Sequence, residues 1–200
     1  VPMNAARQFA VGLAQAGLVE RCERVTAELY GSLGATGAGH GSPKAIILGL
    51  EGEAPDSVDV DRIAERVAHA REAGVLNLLG QRQIAFSYRD DLVMHRSETL
   101  PFHANGMRFT ALDAAGDTLD TRVYYSVGGG FIVDETASSG DVIVDDPTPL
   151  SYPFTTAEEL LAQCREHGLS ISAIMLANEQ AWRSESEIRE GLLGLWEVMD

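Results

Sequence analysis

The feature that most constrains this chain is the glycine-rich stretch at residues 30–50, which reads YGSLGATGAGHGSPKAIILGL. Within residues 31–41 His40 is the only ionisable side chain, and five glycines surround it: Gly31, Gly34, Gly37, Gly39 and Gly41. Each glycine costs conformational entropy wherever its freedom is not needed. This density therefore favours a functional site over a tight turn in which His40 only fills a polar gap.

The residues on either side predict a strand before the glycines and a helix after them. Apolar and polar side chains alternate over residues 25–30, which indicates a strand. Ser42 and Pro43 are typical of a helix N-cap and first helical position, and the apolar run at residues 45–48 predicts that this helix is buried. Such an arrangement would bring backbone N–H groups and the His40 imidazole to one edge, which suits a small anion.

Composition narrows the classes of function. The chain has 200 residues, 45% of them hydrophobic and 22% charged, as in an ordinary soluble globular protein. Thirty acidic residues against fifteen basic ones give a net charge of −15, which repels phosphate backbones and argues against nucleic-acid binding. No apolar run reaches the roughly 18 residues of a membrane span. We therefore expect neither a nucleic-acid partner nor a membrane.

The two cysteines, Cys22 and Cys164, lack the C-x-x-C spacing of metal and redox motifs. This usage indicates a reducing, cytoplasmic setting. Two thiols cannot by themselves hold a four-ligand metal or an iron–sulfur cluster. We therefore expect no metal site in this chain.

The rest of the first 135 residues mixes helical and strand patterns. Helices are predicted at residues 2–15 and 59–73. Short strands are predicted near residues 75–79, 83–88 and 92–94, and a hairpin joins residues 107–112 to 121–127. These elements predict an α+β fold, with a mixed or antiparallel sheet and helices packed on one face.

Three consecutive glycines, residues 128–130, follow the second strand of that hairpin. Glycine inside a strand marks a bulge or the close approach of a ligand or another backbone. We expect the strand to kink there. The residues alone leave a ligand and a simple bulge equally open.

The last third of the chain predicts a polar loop and then helices only. The loop spans residues 136–150, and the helical part spans residues 151–200. Thr156 and Ser184, each with a glutamate three residues later, are typical of capping boxes. The helices keep apolar stripes that this part alone cannot bury, so we interpret it as a connector that docks on something else.

Two nucleotide-binding motifs and one pair of polar residues are further candidates for a chemical role. The glycine-rich stretch does not match the G-x-G-x-x-G of dinucleotide-binding folds, and Pro43 interrupts the order that a phosphate-binding loop needs. His103 and Asn105, two residues apart and just ahead of a strand, could contact a carboxylate. The alternative is a loop in which Asn105 caps and Gly106 turns the chain, and the residues alone favour it.

Three motifs in order carry a family resemblance: Y-G-S-L-x-x-T-G-x-G-H-G at residues 30–41, H-x-N-G-M at 103–107 and Y-Y-S-V-G-G-G-F-I-V at 124–133. Together they resemble the N-terminal, β part of the iron–sulfur-dependent L-serine dehydratases, particularly the single-chain bacterial kind. Residues 151–154 and 176–184 resemble that family's connector to its catalytic part. One departure is Pro43, which stands where the family's G-H-G-T-D has its acid.

The resemblance implies an enzyme that converts L-serine to pyruvate and ammonia. Its [4Fe-4S] cluster would be held by three cysteines of a helical α domain following residue 200, so this chain alone should bind no cluster and be inactive. The β domain would resemble the allosteric substrate-binding domain of phosphoglycerate dehydrogenases. His40 matches the histidine that this domain contributes to the active site. The candidate substrate-binding residues are Ser32, Thr36, Gly39, Gly41, His103, Asn105, Gly128 and Gly129.

The resulting organisation is a β domain at residues 1–135, a loop at 136–150 and a helical connector at 151–200. The expected partners are the α domain, L-serine and a second copy of the chain in a homodimer. Two alternatives remain open. The chain could be a regulatory module that binds serine without catalysis, or a structural dimerisation domain, which would leave His40 and the glycines unexplained.

Overall fold

The computed structural model describes residues 1–134 and 148–199. The chain divides into two compact units, Val1–Val142 and Ile143–Asp200. Residues 136–147 of the predicted loop lie outside the described residues.

In the first unit, residues 1–134 form four α-helices and seven strands. The helices are α1 (Pro2–Gln15), α2 (Gly31–Thr36), α3 (Ser42–Leu50) and α4 (Ile63–Ala73). The strands are β1 (Arg24–Leu29), β2 (Val75–Leu78), β3 (Arg82–Ala85), β4 (Leu92–Met94), β5 (Gly106–Leu112), β6 (Thr118–Ser126) and β7 (Ile132–Asp134). Short 3₁₀ turns occur at Val19–Arg21 and Val60–Arg62.

The strands form one open, mixed sheet in the order β2-β3-β1-β5-β6-β7. β3 and β4 both pair with β1 in parallel, β3 at its first residue and β4 along residues 27–29. On its other side β1 pairs with β5 in antiparallel register, and Ala27 lies opposite Phe109. The predicted α+β class with a mixed sheet is confirmed.

The core of this unit lies between the sheet and its helices. Val25, Ala27 and Leu29 are fully buried because they share one face of β1, as the alternation predicts. Phe9 of α1 stacks on Phe109 of β5 with ring centroids 5.5 Å apart, which docks the helix on the sheet.

Two local predictions need correction. The glycine-rich stretch is not a plain turn, since its first part folds into α2. The next helix, α3, begins at Ser42 and has Gly41 as its N-cap, one residue earlier than predicted. The left-handed φ of 77° at Gly41 leads the chain into α3, a conformation that glycine adopts without strain.

The three glycines at residues 128–130 also behave differently from the prediction. They do not kink a continuous strand; they form the turn of a hairpin in which β7 pairs back onto β6. All three have positive φ, at 100°, 59° and 86°. A run of left-handed backbone ends the strand and reverses the chain, which only glycine does at little cost.

In the second unit, the described residues 148–199 form three helices: α5 (Ala157–His167), α6 (Ile171–Glu179) and α7 (Glu185–Met199). The predicted capping boxes at Thr156 and Ser184 are confirmed by reciprocal hydrogen bonds to Glu159 and Glu187. Within residues 1–134 and 148–199, no helix has both the length and the apolar character needed to cross a membrane.

Candidate functional site

The short helix α2 owes its first turn to a distant side chain. The backbone N–H and the hydroxyl of Ser32 both donate to Oδ1 of Asn105, at 2.9 and 2.7 Å. The residue at the N-cap position is Tyr30, and Asn105, 73 residues further along the chain, supplies the capping acceptor for the first turn. This contact joins the glycine-rich stretch to the predicted H-x-N motif.

Two glycines of α2 are required by space. A Cβ on Gly31 would lie 2.1 Å from the carbonyl oxygen of Ala104, and one on Gly34 would lie 2.2 Å from that of His95. No side chain fits at such distances, so α2 packs directly against the backbone of residues 95–104. Gly39 differs, because its Cβ would meet only the Thr36 carbonyl oxygen, at 3.5 Å.

His40 lies just after α2 and its ring is exposed. Its Nδ1 lies 3.0 Å from the carbonyl oxygen of Thr36. A carbonyl oxygen only accepts hydrogen bonds, so Nδ1 carries the proton in the neutral ring. The lone pair then sits on Nε2, where it is available to take a proton from a ligand.

Hydrogen bonds connect four of the candidate residues in sequence, and we call these the His40 row: Asn105, Ser32, Thr36 and His40. Asn105 accepts from Ser32, the Thr36 hydroxyl donates to the Ser32 carbonyl oxygen at 2.9 Å, and the Thr36 carbonyl accepts from His40. The structure therefore brings the glycine-rich stretch and Asn105 together.

His103 lies at the end of this row. Its Nδ1 accepts a hydrogen bond from the backbone N–H of Asn105 at 3.1 Å, so in the neutral ring the proton sits on Nε2. Oδ1 of Asn105 is occupied by Ser32, which leaves the amide nitrogen as its donor. His103 and Asn105 can thus both donate to a carboxylate.

The triple-glycine turn lies at the same end of the sheet. The N–H of Ser126, the last residue of β6, donates to the Asn105 carbonyl oxygen at 2.9 Å, and Gly128 and Gly129 follow as exposed residues. In the described part of the chain, no hydrogen bond joins either glycine to the His40 row. Their positive φ values explain them as turn residues.

Sequence reasoning missed a second group of ionisable side chains, which we call the His95 cluster: Glu28, Tyr30, His95, Glu98 and Arg108. His95 Nε2 lies 2.9 Å from Glu28 and its Nδ1 lies 3.2 Å from Glu98. Arg108 donates to Glu28 at 3.3 Å and to the Tyr30 hydroxyl at 2.9 Å. The His95 ring also stacks on Tyr30 at 4.4 Å.

The cluster shifts the acidity of its members. The hydrogen bond to Glu28 raises the pKa of His95 and outweighs partial burial, which acts in the opposite direction. Burial alone would raise the pKa of Glu28, but the hydrogen bond with His95 and the charge of Arg108 outweigh it and lower that pKa. One signal was available in the sequence: the alternation over β1 places Glu28 on the face opposite the core.

The side chains that the structure describes offer no ligand set for an iron–sulfur cluster. No group of three or more His, Cys, Asp or Glu side chains is arranged to hold a metal ion in the described ranges, 1–134 and 148–199. Cys22 is buried, and burial raises the pKa of its thiol, which disfavours the thiolate that binds metals. Cys164 lies in the other unit.

Comparison with known proteins identifies the family of this chain. The family model of the serine dehydratase beta chain matches residues 1–137. The chain belongs to this family.

Curated relatives agree with this assignment. The chain is 57% identical to an L-serine dehydratase of Streptomyces coelicolor, 41% to one of Mycobacterium bovis and 40% to L-serine dehydratase 2 of Escherichia coli. The matches cover 99% of this chain but only 44, 42 and 43% of those relatives. The chain thus spans less than half of their length.

Proposed function

We propose that this chain is the β portion of an L-serine dehydratase, which converts L-serine to pyruvate and ammonia, and that His40 acts as the base. The observation that carries this role is the hydrogen bond from His40 Nδ1 to the Thr36 carbonyl oxygen, 3.0 Å long. It leaves the lone pair on Nε2 of an exposed ring. Removal of the α-proton of an amino acid needs such a base, active near neutral pH.

In this proposal the proton moves from the α-carbon of serine to Nε2 of His40. The β-hydroxyl then leaves as water with a proton returned from His40, which gives an aminoacrylate whose imine tautomer takes up water to form pyruvate and ammonia. Thr36 keeps the proton on Nδ1, so the base always presents the same nitrogen. The open backbone at Gly39 lets a small substrate approach the ring, whereas at Gly41 the flexible Lys44 side chain lies close and would have to move aside.

A base needs a substrate held in place, and the donors at the other end of the row suit that task. Asn105 and His103 would bind the serine carboxylate through the amide nitrogen and Nε2, since their other polar atoms are occupied within the protein. Ser32 and Thr36 would complete the polar wall. Gly128 and Gly129 would line the edge of the substrate site through their backbone only.

The partner in this proposal is the α portion of the same enzyme, which would hold the [4Fe-4S] cluster. Its docking is supported by the second unit, where α6 and α7 form an apolar groove of about 760 Å³. Residues lining the groove include Phe154, Met175, Leu192 and Leu195. The same proposal includes a homodimer, in which a second copy of the chain would make further apolar contacts.

A second candidate function is a regulatory module that binds serine without catalysing its reaction. The pair of donors on His103 and Asn105 favours it, because a carboxylate could bind there without contact to His40. The two functions differ in which residues govern turnover and which govern binding.

The test is a set of variants of the complete enzyme. His40→Ala should lower kcat by at least ~10²-fold, the low end for loss of a positioned general base. His69→Gln is the matched control, since His69 is an exposed helical histidine outside the row, and it should leave kcat unchanged. Near-normal kcat in His40→Ala would reject the catalytic role.

His103→Gln separates the two candidates. In the catalytic proposal it should raise KM for serine because a carboxylate contact is lost. A change confined to the cooperativity of serine binding would instead favour the regulatory module.

A further inference from the structure

The His95 cluster is built around a histidine that faces a carboxylate on each side. Glu28, on β1, accepts at Nε2, and Glu98, three residues after His95, accepts at Nδ1. Ionised carboxylates have no proton to donate. Both contacts are therefore satisfied together only when both ring nitrogens carry protons, so the imidazolium is the form that fits.

The same segment supports α2 through its backbone. The N–H of Gly31, the first residue of α2, donates to the Glu98 carbonyl oxygen at 2.8 Å. Gly34 lies so close to the His95 carbonyl oxygen that an added Cβ would be 2.2 Å from it. The N–H of His95 donates to the Leu29 carbonyl oxygen at 2.9 Å, which ties the segment to β1.

We propose that His95 is a positioning residue for His40. As an imidazolium held between Glu28 and Glu98, it fixes the backbone on which α2 rests. Helix α2 in turn carries the Thr36 carbonyl oxygen that orients the His40 ring. This rests on the proposed function, because it takes His40 to be the base.

The charges around His95 set the pH range of this contact. The groups that face it are Glu28 and Tyr30 from β1 and its end, Glu98 from its own segment, and Arg108 from β5 through Glu28. Its raised pKa means that the contribution is complete below the ordinary histidine value of about 6.5 and is lost as pH rises through the raised value. The lowered pKa of Glu28 keeps its contribution intact above about 4.3, the ordinary glutamate value.

Kinetics of the complete enzyme test the proposal. His95→Gln should lower kcat about tenfold with little change in KM, as expected when a base is misplaced and substrate binding is kept. In the parent enzyme kcat should fall as pH rises through the raised pKa of His95, and His95→Gln should lack that alkaline limb. Unchanged kcat and an unchanged alkaline limb in His95→Gln would overturn the proposal.

Two variants guard against a purely structural effect. Glu28→Gln should reproduce the loss of kcat, and combining it with His95→Gln should add little, because both remove one interaction. Should His95→Gln fail to fold, Glu98→Gln tests the same contact at a side chain that is 66% exposed. A parent-like pH profile in Glu98→Gln would then reject the proposal. His69→Gln again serves as the control.

A spectroscopic measurement separates this inference from the proposed function. In ¹⁵N spectra of this 200-residue chain at pH 6.5, His95 should be more than half protonated, and His95→Gln should shift the amide signals of Gly31 and Gly34. A neutral His95, or unmoved α2 amides, would overturn the inference whatever His40→Ala does. If His40→Ala keeps its activity, the proposed function fails, and with it the assignment of His95 as a positioning residue for the base. The support of α2 by a charged His95 is judged by the spectra alone.

Discussion

The two units of this chain differ in how far their apolar side chains are buried. In the described part of the first unit, 23 buried residues form one cluster between the sheet and its helices. In the second, Ile174 and Ile188 are the buried apolar residues among those described. Among the described residues, thirteen large apolar side chains are exposed; ten of them belong to the second unit, and most of these lie on α7.

The difference separates what local sequence encodes from what packing supplies. Each helix of the second unit starts with a good cap: Thr156, Ser170 and Ser184 accept from the third residue beyond them. Caps define where a helix starts but contribute only about 1 kcal/mol each, and most helical stability comes from burying an apolar face. The first unit has that burial, whereas the second presents apolar faces suited to further packing.

The largest expected effect is on the stability of the first unit. Phe109 is fully buried and contacts the rings of Phe9 and Tyr124. Phe109→Ala should lower the free energy of unfolding of the first unit by about 3–5 kcal/mol, since it removes apolar contacts and leaves a cavity. Urea unfolding followed by far-UV circular dichroism and tyrosine signals measures this.

The same experiment can break the comparison, because both tryptophans, Trp182 and Trp196, lie in the second unit. Their fluorescence should change at the same urea concentration in the parent and in Phe109→Ala. An equal shift of the tryptophan transition would mean that the units unfold as one. The control is Leu192→Ala at a side chain that is 61% exposed, which should change stability by less than about 0.5 kcal/mol.

A pair of glycine substitutions should have opposite signs in the two units. Gly34→Ala should destabilise the first unit by about 1–3 kcal/mol, because the new Cβ would lie 2.2 Å from the His95 carbonyl oxygen. Gly194 lies inside α7, and a Cβ added there would meet no neighbouring atom within 4 Å. Gly194→Ala should therefore stabilise that helix by about 0.5–1 kcal/mol. Urea midpoints of the two units provide the measurement.

Gly39→Ala is the matched control within the glycine-rich stretch. Its Cβ would meet the Thr36 carbonyl oxygen at 3.5 Å, an ordinary contact, so little change is expected. A loss in Gly39→Ala as large as that in Gly34→Ala would show that close packing against residues 95–104 is not what makes Gly34 necessary.

Another small effect concerns the caps of the second unit. Thr156→Ala removes the hydroxyl that accepts from Glu159 N–H at 3.2 Å and should cost helix α5 about 1 kcal/mol. Hydrogen exchange should speed up in the first turn of α5 and stay unchanged in the sheet. Thr156→Ser keeps the hydroxyl and should retain the parent rates. Faster exchange throughout the sheet would contradict the independence of the units.

Sequence patterns predicted those elements whose causes are local. The apolar spacing of α1, the alternation of β1 and the hairpin of β5 and β6 each lie within a short window, and all of them form. Helix α2 was not predicted, because glycines disfavour helices and its cap comes from Asn105, far along the chain. The capping part of the prediction for Asn105 was right, although its partner was not foreseen.

The site shows the same division. His40 stood out because glycines surround it, and its link to Thr36 spans only four residues. His95 gave no signal, because its partners Glu28 and Arg108 come from two strands that only the sheet brings together. The strand period of two and the helix period of 3.6 describe neighbours along the chain, so they do not show which distant strands pair in the sheet.

The hydrogen bond from His40 to Thr36 also has a consequence for covalent labelling. An imidazole reacts with acylating and alkylating reagents through the nitrogen that carries the lone pair. With Nδ1 committed to the Thr36 carbonyl oxygen, that nitrogen is Nε2 alone. An electrophile such as diethyl pyrocarbonate should therefore give a single adduct isomer at His40, and a serine-shaped electrophile would have one fixed direction from which to reach it.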